Sequence, residues 1–208
     1  AYCWGDNPFG QLGNGTTASS NVPVPVSGGY TFAMLKAGNS HACGATTAGA
    51  GYCWGNNDFR QLGNGSSTNS HVPAAISGSL SFTSVNAANH HSCGLTAGGA
   101  AYCWGENPYG QLGDGTNTNS GVPVAVTGGL NFVSVSTHND HSCAVTTGGA
   151  GYCWGYNFFG GLGDGANADT NGPVAVSVGN TFASLSAGGL HSCGIAITGA
   201  YGWWYNSI

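Results

Sequence analysis

Hydrophobic and polar positions in this 208-residue chain recur with a period of 50 residues. Bulky and small residues alternate along Phe132-Val133-Ser134-Val135-Ser136 and along its copies beginning at Phe32, Phe82 and Phe182. That two-residue period predicts a half-buried β-strand. A second strand is expected at each His-x-Cys, as in His91-Ser92-Cys93-Gly94-Leu95. The segment Thr96-Ala97-Gly98-Gly99-Ala100 tolerates the positive φ of a tight turn, and Ala101-Tyr102-Cys103-Trp104 returns as the third strand, closing a hairpin. A further turn is expected at Leu-Gly-Asn-Gly, residues 12–15 and 62–65, and at Leu-Gly-Asp-Gly, residues 112–115 and 162–165. The Ser/Thr/Asn tracts that follow end at Pro23, Pro73, Pro123 and Pro173 and are expected to be exposed loops, because proline cannot donate to a ladder.

Strict repetition replaces a domain count by a count of supersecondary units. The copies are 1–50, 51–100, 101–150 and 151–199, followed by an aromatic tail at 200–208, and together they predict one repeat domain over 1–208. Glycine supplies 39 residues and glutamate only Glu106, which disfavours helix, so the fold class is all-β.

The eight cysteines lie at separations that alternate 40 and 10 residues. In a hairpin, Cys93 and Cys103 fall opposite each other across two antiparallel strands, at a spacing a disulfide accepts. The same logic pairs Cys43 with Cys53 and Cys143 with Cys153, leaving Cys3 and Cys193. The tail reads Ala200-Tyr201-Gly202-Trp203, a copy of Ala1-Tyr2-Cys3-Trp4 with glycine in the cysteine slot. The N-terminal strand is therefore expected beside Cys193, forming a Cys3–Cys193 link within one chain or between chains. Regular cysteines in so uncharged a chain favour an oxidising, extracellular compartment.

Charge narrows the function classes. Lys36 and Arg60 face seven acidic residues, and charged residues make up 4% of the chain against about 25% in an ordinary soluble protein. Nucleic acid is excluded as a partner for want of a basic cluster. Little charge repulsion keeps copies of the molecule apart. No apolar run is long enough to span a membrane. Ala1 already stands inside a repeat, so any export signal is expected to have been removed, or the chain to be a portion of a longer one.

The segment Cys3-Trp4-Gly5-Asp6-Asn7-Pro8-Phe9-Gly10-Gln11-Leu12-Gly13-Asn14-Gly15-Thr16, followed by Ala37-Gly38-Asn39-Ser40-His41, recurs over about 200 residues. It resembles the regulator of chromosome condensation repeat family. The resemblance implies a β-propeller-like array in which each repeat gives a four-stranded blade, with the sequence repeat offset from the blade. Four repeats are fewer than the family's usual seven blades. A four-bladed ring, a ring shared between chains, an open helical stack and part of a larger protein all stay open.

Residues that packing does not demand are the better candidates for sites. His41, His91, His141 and His191 each precede a cysteine by two residues, but one histidine and two cysteines per blade fall short of zinc's four ligands, so no metal and no cofactor is expected. Each ring is expected to pack at a strand start and bond nearby backbone. Trp4, Trp54, Trp104 and Trp154 recur once per copy and read as core. Phe9, Phe59, Tyr109 and Phe159 lie in a turn and, with the single-copy His90 and His138, are the ligand-binding candidates. Trp203, Trp204 and Tyr205 cluster in the tail as interface candidates. Asn14 and Asn64 head acceptor sequons for glycosylation. The seven acidic residues are scattered singly, so no catalytic set and no enzyme is expected. The sequence thus predicts an extracellular structural protein, of the filament or surface-layer kind, whose partner is itself through its chain ends. The alternative is a secreted binding module recognising a protein or a glycan through variable loops.

Overall fold

The structure, a computed structural model, describes residues 1–177, 179–197 and 199–203. The described residues are all strand and turn, and their strands form five successive antiparallel sheets. Strands β1 (Tyr2–Gly5) and β2 (Ser20–Pro25) pair as a two-stranded sheet. Three four-stranded sheets follow. The first holds β3 (Phe32–Ala37), β4 (His41–Thr46), β5 (Gly51–Gly55) and β6 (Ser70–Ala75). The second holds β7 (Phe82–Ala87), β8 (His91–Thr96), β9 (Ala101–Gly105) and β10 (Ser120–Ala125). The third holds β11 (Phe132–His138), β12 (His141–Thr146), β13 (Gly151–Gly155) and β14 (Thr170–Ala175). The last sheet has three strands, β15 (Phe182–Ala187), β16 (Ser192–Ala196) and β17 (Gly199–Trp203).

Each blade is a meander, and the first strand of one blade packs on the first two strands of the blade before it. The 50-residue sequence repeat is offset from the blade: copy one ends on the second strand of the first complete sheet. The array is open, since the outer half of a blade begins it and a three-stranded sheet ends it.

Second strands such as β8 are buried along nearly their whole length because a sheet covers each side, so they read as small residues without alternation. First strands keep a buried face interrupted by a register shift, between Phe82 and Ser84 in β7 and between the equivalent residues elsewhere. The proline tracts are corrected by the structure. They form the fourth strands β2, β6, β10 and β14, which lie at the outer edge of each sheet, where a missing N–H breaks no ladder.

The core lies between consecutive sheets. Cys43, Ala45, Cys53 and Leu62 of one blade meet Phe82, Val85 and Trp104 of the next. Cys93, Leu95, Cys103 and Leu112 meet Phe132, Val135 and Trp154 in the same way. Three disulfides are formed, Cys43–Cys53, Cys93–Cys103 and Cys143–Cys153, between residues in direct register with Cα atoms 4.0–4.1 Å apart. All six of these cysteines are fully buried in the layers between sheets.

Candidate functional site

The joint between blades is built from the repeated histidine, a serine one blade on, and a loop carbonyl. Nε2 of His41, His91 and His141 lies 2.8, 2.9 and 2.9 Å from Oγ of Ser92, Ser142 and Ser192. Each serine hydroxyl donates onward, to the carbonyls of Gln61, Gln111 and Gly161. A serine has one hydrogen to give, so the ring Nε2–H is the donor in each pair. Burial lowers His41 and His91 to pKa values of about 3 and His141 to about 4. The Nδ1 atom of His41 finds no partner. The same carbonyls of Gln61 and Gln111 accept Trp104 Nε1 and Trp154 Nε1, each at 2.9 Å, while Gln11 accepts Trp54 Nε1 at 3.0 Å. The histidines therefore bond serines of the neighbouring blade, and His91 and His141 also engage its backbone at Asn139 and His191.

Buried asparagines hold the long loops. Asn7 Nδ2 donates to the carbonyls of Thr16 and Ala18, and its Oδ1 accepts from Leu12 N–H. Asn57, Asn107 and Asn157 repeat these contacts. Their role was legible in principle: an asparagine at one fixed slot in every copy, inside a glycine-rich turn, marks a loop organiser.

The two outer sheets depart from this pattern. Trp54, Trp104 and Trp154 are fully buried, but Trp4 in β1 is 63% exposed. Beside it runs a groove of about 440 Å³ lined by Tyr2, Cys3, Trp4, Leu35, His41 and Trp54, among others. At the opposite end, Ile195 is 59% exposed, whereas Val145, one period earlier, is 1% exposed. Ile195, Cys193 and Tyr201 line a shallow cavity of about 370 Å³ on the bare side of the last sheet.

The loop surface gathers some of the expected binding residues and separates others. Phe59 stacks on His90 with ring centroids 4.3 Å apart, and His90 Nδ1 lies 2.9 Å from Glu106 Oε2. Tyr109 meets Tyr156 edge-on at 5.0 Å, and Tyr156 meets Phe159 at 6.3 Å. His138 lies apart from both groups, in a cleft of about 340 Å³ with Asn39, Asn89 and Asn139. Phe9 is half-buried at the equivalent turn of the first copy. Among the described residues no group of three or more His, Cys, Asp and Glu is placed to hold a metal ion.

The model of the Regulator of chromosome condensation (RCC1) repeat matches residues 1–45, 48–95 and 98–145. The chain belongs to the RCC1 repeat family. A second model of the same description matches residues 82–111. Among solved structures, human WBSCR16 is 23% identical with a TM-score of 0.89, over 98% of this chain and 56% of that one. Prp20p from Saccharomyces cerevisiae, with its binding properties to Gsp1p and histones, is 21% identical with a TM-score of 0.80, over 98% and 53%. The ectodomain of the Physcomitrella patens receptor kinase CR4 is 24% identical with a TM-score of 0.59, over 89% and 44%. This chain thus spans about half the length of these structures, and at such identities the likeness is one of fold. No curated protein matches it.

Within this RCC1 array the Cys3–Cys193 link, expected within one chain or between chains, is absent in its within-chain form. Cys3 and Cys193 are not bonded to each other in the single chain. The place beside Cys193 is filled by the chain's own β17, which sets Gly202 opposite it. Trp203 ends β17, and Trp204 and Tyr205 lie outside the described residues. Asn14 and Asn64 sit half-buried in exposed loops, where each Oδ1 accepts from the backbone N–H two residues on. Asp114 and Asp164 do the same work in the other RCC1 repeats. Three buried disulfides fit an oxidising environment. Among the described residues no helix is long and apolar enough to cross a membrane.

Proposed function

We propose that this RCC1-repeat chain is a non-enzymatic structural subunit of an extracellular assembly, joined head to tail to copies of itself through its two outer sheets. The observation that carries this reading is the match between those sheets. Shifting the internal contacts by one 50-residue period sets Cys193 and Ile195 of one copy against Phe32, Leu35 and Trp54 of the next. Those are the equivalents of Cys43 and Ala45 against Phe82, Val85 and Trp104 inside the array. Phe32 and Leu35 are only half-buried in the single chain, as such a seat requires. A contact of this heterologous kind propagates, giving a ring if its rotation closes and a filament if it does not. A charged fraction of 4% offers little repulsion against it. The disulfides and the use of a similar fold in a receptor ectodomain support the extracellular setting.

The purified chain is expected to grow beyond a monomer in light scattering and negative-stain microscopy. Ile195→Asp puts a charge on the bare face at a position already exposed, so it should leave the melting temperature unchanged and hold the chain as a monomer. A parent chain that stays monomeric at every concentration, or an aspartate variant that assembles equally well, contradicts the reading. A second reading, a secreted module gripping a protein or glycan through its loops, is favoured by the aromatic row that ends in Phe158, which is 64% exposed. Glycan or protein capture by a strictly monomeric chain, lost in Phe158→Ala, would support it.

A further inference from the structure

Every complete blade sets a second-strand cysteine against a third-strand cysteine. The last sheet breaks that rule, because Cys193 of β16 faces Gly202 of β17 and is a free, exposed thiol. The run Ala200-Tyr201-Gly202-Trp203 within β17 and the run Ala1-Tyr2-Cys3-Trp4, whose last three residues open β1, differ only in the cysteine slot. Cys3 is the other free thiol. It pairs with Val24 in the register by which Cys153 pairs with Val174, so β1 and β2 already have the form of the outer half of a blade. Among the described residues no strand pairs with the far side of β17.

Building on the head-to-tail reading above, we propose that β17 is a stand-in strand. It occupies the third position beside β16 until β1 of a second copy displaces it, and Cys193 then forms with that copy's Cys3 the disulfide that Gly202 denies to the single chain. The exchange trades one antiparallel ladder for another of the same local sequence, so backbone hydrogen bonds neither drive nor oppose it. What favours it is what β1 brings: β2 already paired, the groove that receives Ile195, and a thiol in register. While β17 is in place it also covers the β16 edge, which would otherwise recruit strands without selection.

The covalent step needs an oxidant, and a low-molecular-weight disulfide supplies it. The thiolate of Cys193, the more exposed of the two, attacks that disulfide, becomes a mixed disulfide and releases one small thiol. Cys3 of the second copy attacks the Cys193 sulfur, forms the Cys3–Cys193 bond and releases the second small thiol. Two protein thiols are oxidised and one small disulfide is reduced to two thiols. Partial burial raises the Cys3 thiol above its ordinary value, so less of it is thiolate and Cys193 is the thiol that reacts first.

The test uses the full chain with its three blade disulfides intact, incubated with oxidised glutathione, then resolved on non-reducing gels and mapped by peptide mass. The parent chain should give a ladder that reductant collapses, with Cys3 and Cys193 peptides joined. Gly202→Cys places a thiol on β17 opposite Cys193 and should lock the stand-in, turning the ladder into a single monomer band. A mixture of Cys3→Ser and Cys193→Ser chains should stop at dimers, which keeps the test valid should Gly202→Cys misfold. Assembly with both thiols still open to alkylation, or joined only Cys193 to Cys193, overturns the exchange and lock while leaving head-to-tail assembly standing. A parent chain that neither scatters as an oligomer nor loses its thiols overturns both.

Discussion

Lowering the pH from 7 to 5 should strip a large share of the array's stability by charging histidines that its interior cannot hold charged. Burial is the main cause of the low folded values, about 3 for His41 and His91 and about 4 for His141. Above the ordinary histidine value of about 6.5 each ring is neutral whether the chain is folded or unfolded, so stability there is full. Between that value and the folded ones only the unfolded chain binds the proton, and stability falls as the pH falls. At pH 5 each ring costs about 1.4 kcal/mol per unit over about 1.5 units, or about 2 kcal/mol, so three cost about 6 kcal/mol. That is comparable with the whole stability of an ordinary domain, about 5–15 kcal/mol. Burial raises the carboxyl of Asp140, which offsets part of the loss at the acid end of the range. Urea titrations followed by tryptophan fluorescence at pH 7, 6 and 5, at fixed ionic strength, read the effect directly. The slope of stability against pH should approach three protons near pH 5, and His91→Gln, which keeps a donor for Ser142, should remove one of them. Midpoints that do not move between pH 7 and 5, or an equal slope in the variant, would refute the reasoning.

Two further predictions test the joints between blades. Ser142→Ala leaves the buried Nε2–H of His91 without an acceptor and should cost about 1–3 kcal/mol, read as a lower urea midpoint at pH 7. In Gly63→Ala the new Cβ would stand 2.6 Å from Trp104 Nε1 on a backbone with φ of 68°, and the left-handed strain and overpacking together should cost about 2–5 kcal/mol. Gly129→Ala, at φ of 62° with nothing within 4 Å, isolates the backbone share at about 1–2 kcal/mol, so equal thermal shifts in the two variants would sink the packing argument.

What could be read from the sequence is what local geometry dictates. The hairpin disulfides were legible because ten residues with a glycine-rich turn between them leave few ways to set Cys93 beside Cys103. The first three strands of a blade announce themselves by alternation or by cysteine spacing. The fourth does not: Ser20–Pro25 looks like a loop because an edge strand carries the prolines and polar groups that loops carry. The serine partners of the histidines are not legible because each lies 51 residues away, a contact made by packing of blades rather than by chain proximity. A trace was present, since Ser92, Ser142 and Ser192 hold one repeat slot in otherwise apolar strands, a choice that calls for a partner. Trp4 shows the opposite failure: its sequence is that of three buried tryptophans, and only its place in an outer half-blade leaves it exposed.

Cryo-electron microscopy of the assembled chain tests the central claim most directly. Mating of the outer sheets predicts subunits stacked along one curved array, with β1 of each copy lying beside β16 of its neighbour and Ile195 seated over Phe32 and Leu35. Subunits joined side to side through their loops, with Trp4 and Ile195 still facing solvent, would contradict it.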